Sequence, residues 1–267
     1  MRPINRGDKP THITLSGETI DNAAQEYQFS IGALISRLGE YCSYCEIALG
    51  ANLTIDHVVP KSTSVNQEND WSNFLLACPN CNSRKGTRVQ DRAGYYWPDD
   101  ISISQATTGF NTFSILEYYW DTNSMVALVR RNPNLPVGVV PAYVDSTIDI
   151  VKLNNYDPND SDPKRSDRRV RNRTRTWEIA SSMANTLSSY YTRYTNTGDD
   201  NAAMANATAD KAISALKRQI TQAALAGGFW SVWMTVFSTK GTFINPAVRV
   251  ALLNELFVTP FPGTRYP

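Results

Sequence analysis

Two pairs of cysteines constrain this chain more than any other feature of its sequence. Each pair encloses two residues, as Cys42-Ser43-Tyr44-Cys45 and Cys78-Pro79-Asn80-Cys81, and the 267 residues contain no other cysteine. Such CxxC knuckles each direct two thiolates at one tetrahedral ion, and four sulfur ligands select zinc. The alternative is two coincidental pairs of buried thiols. The spacing predicts a structural zinc held by Cys42, Cys45, Cys78 and Cys81, with no coordination position left for catalysis.

The charge of the chain excludes a strongly basic or acidic protein. Lys and Arg number 26 against 25 Asp and Glu, a net charge of +1, so any basic surface must be local. No apolar stretch follows the charged first ten residues, so we expect no secretory signal and a cytoplasmic protein. No run reaches the roughly 18 to 20 apolar residues of a membrane span. We therefore expect no membrane partner.

Changes of composition and pattern divide the chain into four predicted segments. They are an N-terminal helical segment (1–40), a cysteine-rich core (41–92), a mixed strand and loop extension (93–156) and a helical region with a basic helix (157–267). Apolar patterns also predict individual elements. Strands are expected at 113–119 and 125–129, a strand or helix at 147–153, a linker at 157–163, and helices at 165–187, 202–225, 229–237 and 246–257.

Polar residues with catalytic chemistry lie between and just after the knuckles. The β-rich run LTIDHVVP (53–60) carries Asp56 and His57 on opposite faces of an extended backbone or at its bend. If a helix begins at the second knuckle, Asn82 and Lys85 share one of its faces. Gly86 then suits the end of that helix.

The runs YCSYC, TIDHVVPKS and WSNFLLACPNCNSRKG resemble the HNH (ββα-metal) endonuclease family in its zinc-stapled form. The family's first His corresponds to His57, its middle Asn to Asn73 and its final His to Asn82, where Asn is a known variant. The resemblance implies an α+β fold. Its parts would be a ββα-metal HNH core within 41–92, with a four-cysteine structural zinc, and a mainly α-helical C-terminal region.

The resemblance also implies an activity and a setting. The substrate would be DNA, cut to leave 5′-phosphate and 3′-hydroxyl ends. Bacterial proteins of this kind often defend against phage or mobile elements, sometimes beside an ATPase or another defence-system partner. We therefore expect DNA cleavage and a role in defence for this chain.

The chemistry of the residues agrees with this activity. His57 can be neutral at physiological pH and accept a proton from water. Asp56 and Asn82 offer side-chain oxygens to a catalytic Mg²⁺ or Mn²⁺. By the resemblance, Asn73 holds the loop of the histidine. The structural alternatives are a core histidine and asparagines that cap a helix or form a turn.

Basic residues supply candidate DNA contacts. Lys85 is placed for a phosphate, a part that Arg84 or Arg88 could take instead. Seven of the 26 basic residues lie between 164 and 175, and from this basic helix we take Arg168, Arg171 and Arg175 as DNA-binding residues. The alternative is a solvated helix face with arginines paired to Asp162, Asp167 and Glu178.

The sequence thus predicts a metal-dependent HNH endonuclease. The alternative function is a non-catalytic zinc module that binds nucleic acid or a protein partner. Convergence of Asp56, His57 and Asn82 on one cation site would favour the nuclease. Cleavage of RNA, or of one DNA strand, would use the same motif.

Overall fold

The computed structural model describes residues 1–10, 23–63, 67–100, 110–156, 167–195, 202–240 and 246–265. These residues form two small antiparallel sheets and eight α-helices. The strands are β1 (Thr54–His57), β2 (Phe74–Ala77), β3 (Leu116–Asp121) and β4 (Val126–Arg131). The helices are α1 (Ala23–Leu38), α2 (Pro79–Lys85), α3 (Thr112–Ile115), α4 (Pro141–Ile150), α5 (Arg168–Thr195), α6 (Ala202–Gly227), α7 (Trp230–Lys240) and α8 (Pro246–Leu253).

Strands β1 and β2 lie between the two knuckles and form a ββα unit with helix α2, which begins inside the second knuckle. β1 pairs with β2 in a register that sets His57 opposite Phe74. Helix α2 begins directly after Cys78, whose sulfur accepts a hydrogen bond from the Cys81 amide, and Pro79 occupies its first turn. Gly86 ends it with a φ of +52°, a conformation that glycine adopts at little cost. The predicted helix at the second knuckle is confirmed.

The second hairpin, β3–β4, begins later than predicted. The strand expected at 113–119 begins at Leu116, because residues 112–115 form the short helix α3. The Asn111 side chain accepts hydrogen bonds from the amides of Phe113 and Ser114, and the Ser114 hydroxyl accepts one from the Asn111 amide. This capping box overrides the strand propensity of the first residues. The segment at 147–153 is helical as far as Ile150, the end of α4.

Four helices follow in the C-terminal region, close to the predicted ranges. The helix predicted at 165–187 is α5, which continues to Thr195, and the one predicted at 246–257 is α8 followed by one turn of π-helix at Asn254–Val258. The apolar helix α7 lies in the protein core, where Trp230, Trp233 and other residues are buried. The expected linker at 157–163, with Asp162, Lys164 and Arg165, lies outside the described residues.

Buried Glu46 joins the first knuckle to the C-terminal helices. Its carboxylate accepts hydrogen bonds from the Ser231 amide (2.7 Å), the Ser231 hydroxyl (2.6 Å) and the Tyr118 hydroxyl (3.0 Å). Gly228 packs directly against the backbone of residues 46–48. One buried core runs through all four predicted segments, and the four-part division stays a prediction.

The predicted fold class is confirmed: an α+β unit with four clustered cysteines precedes a mainly helical region. Among the helices of the described ranges, none combines the length and the apolar character of a membrane span.

Candidate active site

The four cysteines meet at one buried point between the ββα unit and the first knuckle. Their sulfur atoms all lie within 4.8 Å of one another, and the Cys45 and Cys78 sulfurs are 3.8 Å apart. Zinc–sulfur bonds of about 2.3 Å in a tetrahedron set the sulfurs about 3.8 Å apart, so this donor set fits zinc. Burial raises the pKa of Cys45 and Cys81, whereas hydrogen bonds with neighbouring thiols lower that of Cys78. A bound cation would stabilise all four as thiolates.

A buried arginine of α5 contacts the zinc site from outside. Arg169 donates a hydrogen bond to the Cys81 sulfur at 3.0 Å and is held by the Asp167 carboxylate, at 2.9 Å from Nε and 2.6 Å from Nη2. Burial lowers the pKa of Arg169, but Asp167 and the Cys81 sulfur outweigh that effect and raise it. The permanent positive charge offsets part of the negative charge of four thiolates. The zinc site is therefore tied to the first turn of α5.

His57 lies at the end of β1, and the contacts of its ring include Glu68 and Phe74. Nε2 is 2.8 Å from the carbonyl oxygen of Glu68, and the ring meets Phe74 edge-on at 5.1 Å. Because a carbonyl can only accept, Nε2 carries the proton and Nδ1 is the basic nitrogen of the neutral ring. The loop that follows His57 thus selects the tautomer.

Asn73 closes that same loop. Its side-chain oxygen accepts from the Val59 amide, and its Nδ2 donates to the Val59 carbonyl, both at 2.8 Å. Nδ2 also donates to the Gln67 carbonyl at 3.2 Å, next to Glu68. The structure places Asn73, only 2% exposed, where it connects both ends of the loop that orients His57.

Asp56 is buried, and its carboxylate faces Tyr44 and Lys85. One carboxylate oxygen accepts a hydrogen bond from the Tyr44 hydroxyl, and the other is 3.2 Å from the Lys85 ammonium. Burial raises the pKa of Asp56, while Lys85 and Tyr44 act against the rise. Asp56 and His57 therefore have different neighbours, as expected of successive residues in a strand.

Asn82 lies beside the same strand, one helical turn before Lys85. Its Nδ2 donates to the Thr54 hydroxyl at 3.3 Å, two residues before Asp56. Asp56 contacts Lys85 rather than Asn82. Asp56 and Asn82 thus lie where β1 meets α2, while the His57 ring contacts Glu68 and Phe74. The convergence of these three side chains on one cation stays a prediction.

The predicted DNA contacts divide into buried and exposed residues. Lys85 is 1% exposed, and its ammonium is directed at protein acceptors, so this position does not suit a phosphate contact. Arg84 is one-third exposed and lies 3.9 Å from Asp167, which brings α2 against α5. Arg88 is exposed to solvent, and its guanidinium donates hydrogen bonds to the carbonyls of Arg84 and Ile150. The three predicted contacts on α5, Arg168, Arg171 and Arg175, are exposed.

Three contributors to the site have roles that the sequence did not predict. Tyr44, inside the first knuckle, reaches Asp56, and Glu68 acts through its backbone carbonyl, which no sequence pattern reveals. The sequence does not distinguish Arg169 from the other arginines of the basic helix. For Arg173, four residues later, it does indicate burial, because on a helical wheel Arg173 lies about 40° from Trp177, on the apolar side.

Comparison with known proteins agrees with this geometry. Residues 42–88 match a family model described as HNH endonuclease. The chain is also 36% identical over 58 residues to the Septu protein PtuB of Bacillus thuringiensis, a match that covers 21% of this chain and 23% of that protein. No solved structure shows significant similarity to the chain. The family match confirms the resemblance for the knuckles and the ββα unit: residues 42–88 carry an HNH endonuclease domain.

Proposed function

We propose that this chain is a metal-dependent endonuclease that hydrolyses phosphodiester bonds of DNA, with His57 as the general base. The observation that carries the proposal is the hydrogen bond from His57 Nε2 to the Glu68 carbonyl. It fixes the tautomer whose Nδ1 can accept a proton. The HNH match over residues 42–88 supports the same role.

In this proposal His57 Nδ1 takes a proton from a water molecule whose oxygen attacks the phosphorus. The bond from phosphorus to the 3′ oxygen then breaks, which leaves a 5′-phosphate and a 3′-hydroxyl. Asp56 and Asn82 would hold Mg²⁺ or Mn²⁺, because a carboxylate and an amide oxygen are donors that these ions prefer. Each Asp56 oxygen has a second lone pair besides the one directed at Tyr44 or Lys85. The ion would supply charge neutralisation at the phosphate and the leaving oxygen.

The exposed arginines supply the proposed DNA contacts. Arg168, Arg171 and Arg175 follow one another at helical spacings of three and four on α5. Arg84 lies near Asp167, the residue before that helix, and Arg88 contacts the end of α4. The placement supports one basic surface beside the site, on a chain whose net charge is only +1.

A defence role is the setting that we propose for this activity. It rests on the family resemblance and on the similarity to the Septu protein PtuB. The expected context is cytoplasmic defence against phage or mobile elements, with an ATPase or another defence-system protein as partner.

Cleavage of supercoiled plasmid with Mg²⁺ or Mn²⁺ tests the nuclease. We expect His57→Ala to lose about 10²- to 10⁴-fold in rate, because the base is removed, at a zinc content equal to that of the wild type. The matched control is His12→Ala, which changes the one other histidine of the chain. Equal cleavage by the His57→Ala variant would contradict the proposal. A zinc-loaded wild type that cuts with neither cation would favour the non-catalytic zinc module.

A further inference from the structure

Lys85 is a cation sealed inside the proposed site. It is 1% exposed and lies in the last turn of α2. Its ammonium is 2.8 Å from the His57 carbonyl, 3.2 Å from the Val58 carbonyl and 3.2 Å from the Asp56 carboxylate. The carbonyl of Gly86 is more distant, at 3.5 Å.

These contacts use the whole donor capacity of the side chain. An ammonium group has three hydrogens, and Lys85 has three close acceptors, in Asp56, His57 and Val58. A buried charge is tolerated only when its partners replace the water that it loses. No donor therefore remains for a phosphate.

The acceptors of Lys85 are consecutive in the chain and lie where β1 ends. The pairing of β1 with β2 stops at His57, and Lys85 binds the two carbonyls at this exit. Asn73 then binds both backbone groups of Val59. Together the two side chains anchor four successive residues, 56 to 59, with the proposed base among them.

We propose that Lys85 is a positioning residue, which fixes the backbone of His57 and the carboxylate of Asp56 without touching the substrate. This inference rests on the proposed nuclease function. A phosphate-binding role predicts that loss of Lys85 lowers DNA affinity and its dependence on salt. The positioning role predicts that both stay as in the wild type. It also predicts that arginine cannot replace lysine, because a planar guanidinium is larger and cannot direct three hydrogens at these acceptors.

The first test measures binding and cleavage separately in Lys85→Arg and Lys85→Met. We expect each variant to lose about 10²-fold in single-turnover cleavage at saturating DNA, since a misplaced catalytic group has an effect of that size. The dependence of DNA affinity on salt should match the wild type. Arg171→Gln, the matched control, should lower that slope by about 0.9. A lower slope for Lys85→Met, with activity kept in Lys85→Arg, would overturn the proposal.

A second test needs no cleavage, so it separates this inference from the nuclease proposal. The chain has two histidines, so in a His12→Gln background the nitrogen NMR spectrum reports on His57 alone. We expect one tautomer, protonated at Nε2, with Lys85 present, and a mixture of both in Lys85→Met. An unchanged tautomer would refute the positioning role, whether or not the wild type cuts DNA.

A further variant guards against misfolding of Lys85→Met, which leaves the Asp56 carboxylate buried without its cation. Lys85→Met combined with Asp56→Asn removes both charges, which proteins tolerate far better than the loss of one. Measured in the same His12→Gln background, this variant should still show mixed His57 tautomers, because the two carbonyls have lost their donor. A single Nε2-protonated tautomer in it would count against Lys85.

Discussion

At the scale of single residues, the proposed site depends on a link between Tyr44 and Asp56. Tyr44 is fully buried between two zinc-binding cysteines, and its hydroxyl donates to the Asp56 carboxylate. Burial raises the pKa of Tyr44 well above its ordinary value, and Asp56 adds to the rise. The hydroxyl therefore keeps its proton and acts as a donor. Tyr44 connects the four-cysteine site to the strand that carries the proposed base.

We predict that Tyr44→Phe lowers the free energy of unfolding by about 1.5 to 3 kcal/mol, the usual contribution of a hydrogen bond to a charged group. Zinc content should not change, because Tyr44 provides no metal ligand. Urea unfolding and metal analysis measure the two effects. Tyr119→Phe, on the half-buried outer side of β3, is the control and should change stability by less than about 0.5 kcal/mol. Loss of zinc from Tyr44→Phe would contradict this account.

The sequence predicts residues whose role follows from their type and spacing. The cysteines are of this kind, because the spacing of a knuckle is itself a geometric restraint. The role of Lys85, by contrast, depends on its position in three dimensions. Its type suits a phosphate contact equally well, and only the three-dimensional position of the carbonyls at 57 and 58 shows that the side chain points inward.

At the scale of the element, α5 separates its arginines into two sets. Arg168, Arg171 and Arg175 lie within about 60° of one another on the helical wheel, and all three are exposed. Arg169 and Arg173 lie four residues apart and are buried at 2% and 1% exposure. Arg173 donates to the carbonyls of residues 127 and 153. One helix thus combines a proposed DNA surface with an anchor in the core.

We predict opposite effects from changing the two sets. Replacing the three exposed arginines together by glutamine should lower the slope of log affinity against log salt by about 2.7, at 0.9 for each phosphate contact. The stability of the protein should hardly change. Salt-dependent DNA binding and urea unfolding measure both quantities, and an unchanged slope would remove α5 from the DNA surface.

Arg173→Gln is the matched control on the same helix. It leaves buried carbonyls without their donors, so it should lower the free energy of unfolding by about 1 to 3 kcal/mol. The sequence predicted the helix and its charge correctly. It also raised the pairing of arginines with Asp167, which the structure shows for Arg169. Which arginines face the core depends on the neighbouring hairpin and on the zinc site, and neither is local in sequence.

At the scale of the whole molecule, the C-terminal helices are joined to the first knuckle by contacts between residues 180 or more positions apart. Gly228 has a φ of +71°, and a Cβ at this position would lie 2.2 Å from the Glu46 carbonyl oxygen and 2.7 Å from the Ala48 amide nitrogen. These are backbone atoms, which cannot move aside as a flexible side chain can. No local pattern in the sequence predicts this approach.

We predict that Gly228→Ala lowers the free energy of unfolding by about 2 to 4 kcal/mol, from overpacking and an unfavourable backbone conformation. The matched control is Gly32→Ala. Gly32 lies exposed in α1, and outside that helix no described residue has an atom within 4 Å of an added Cβ. The same chemical change there should stabilise the protein by about 0.5 to 1 kcal/mol. Urea unfolding at fixed zinc concentration compares the two, and equal effects would refute the close approach.

The bond between His57 and Glu68 has a consequence for the evolution of such sites. The acceptor is a backbone carbonyl, which every amino acid possesses. The Glu68 side chain itself is half exposed and makes a 3.5 Å surface pair with Lys61, a kind of contact that contributes little. Selection can therefore preserve the orientation of the proposed base while residue 68 changes, so position 68 can vary among descendants without affecting the proposed activity.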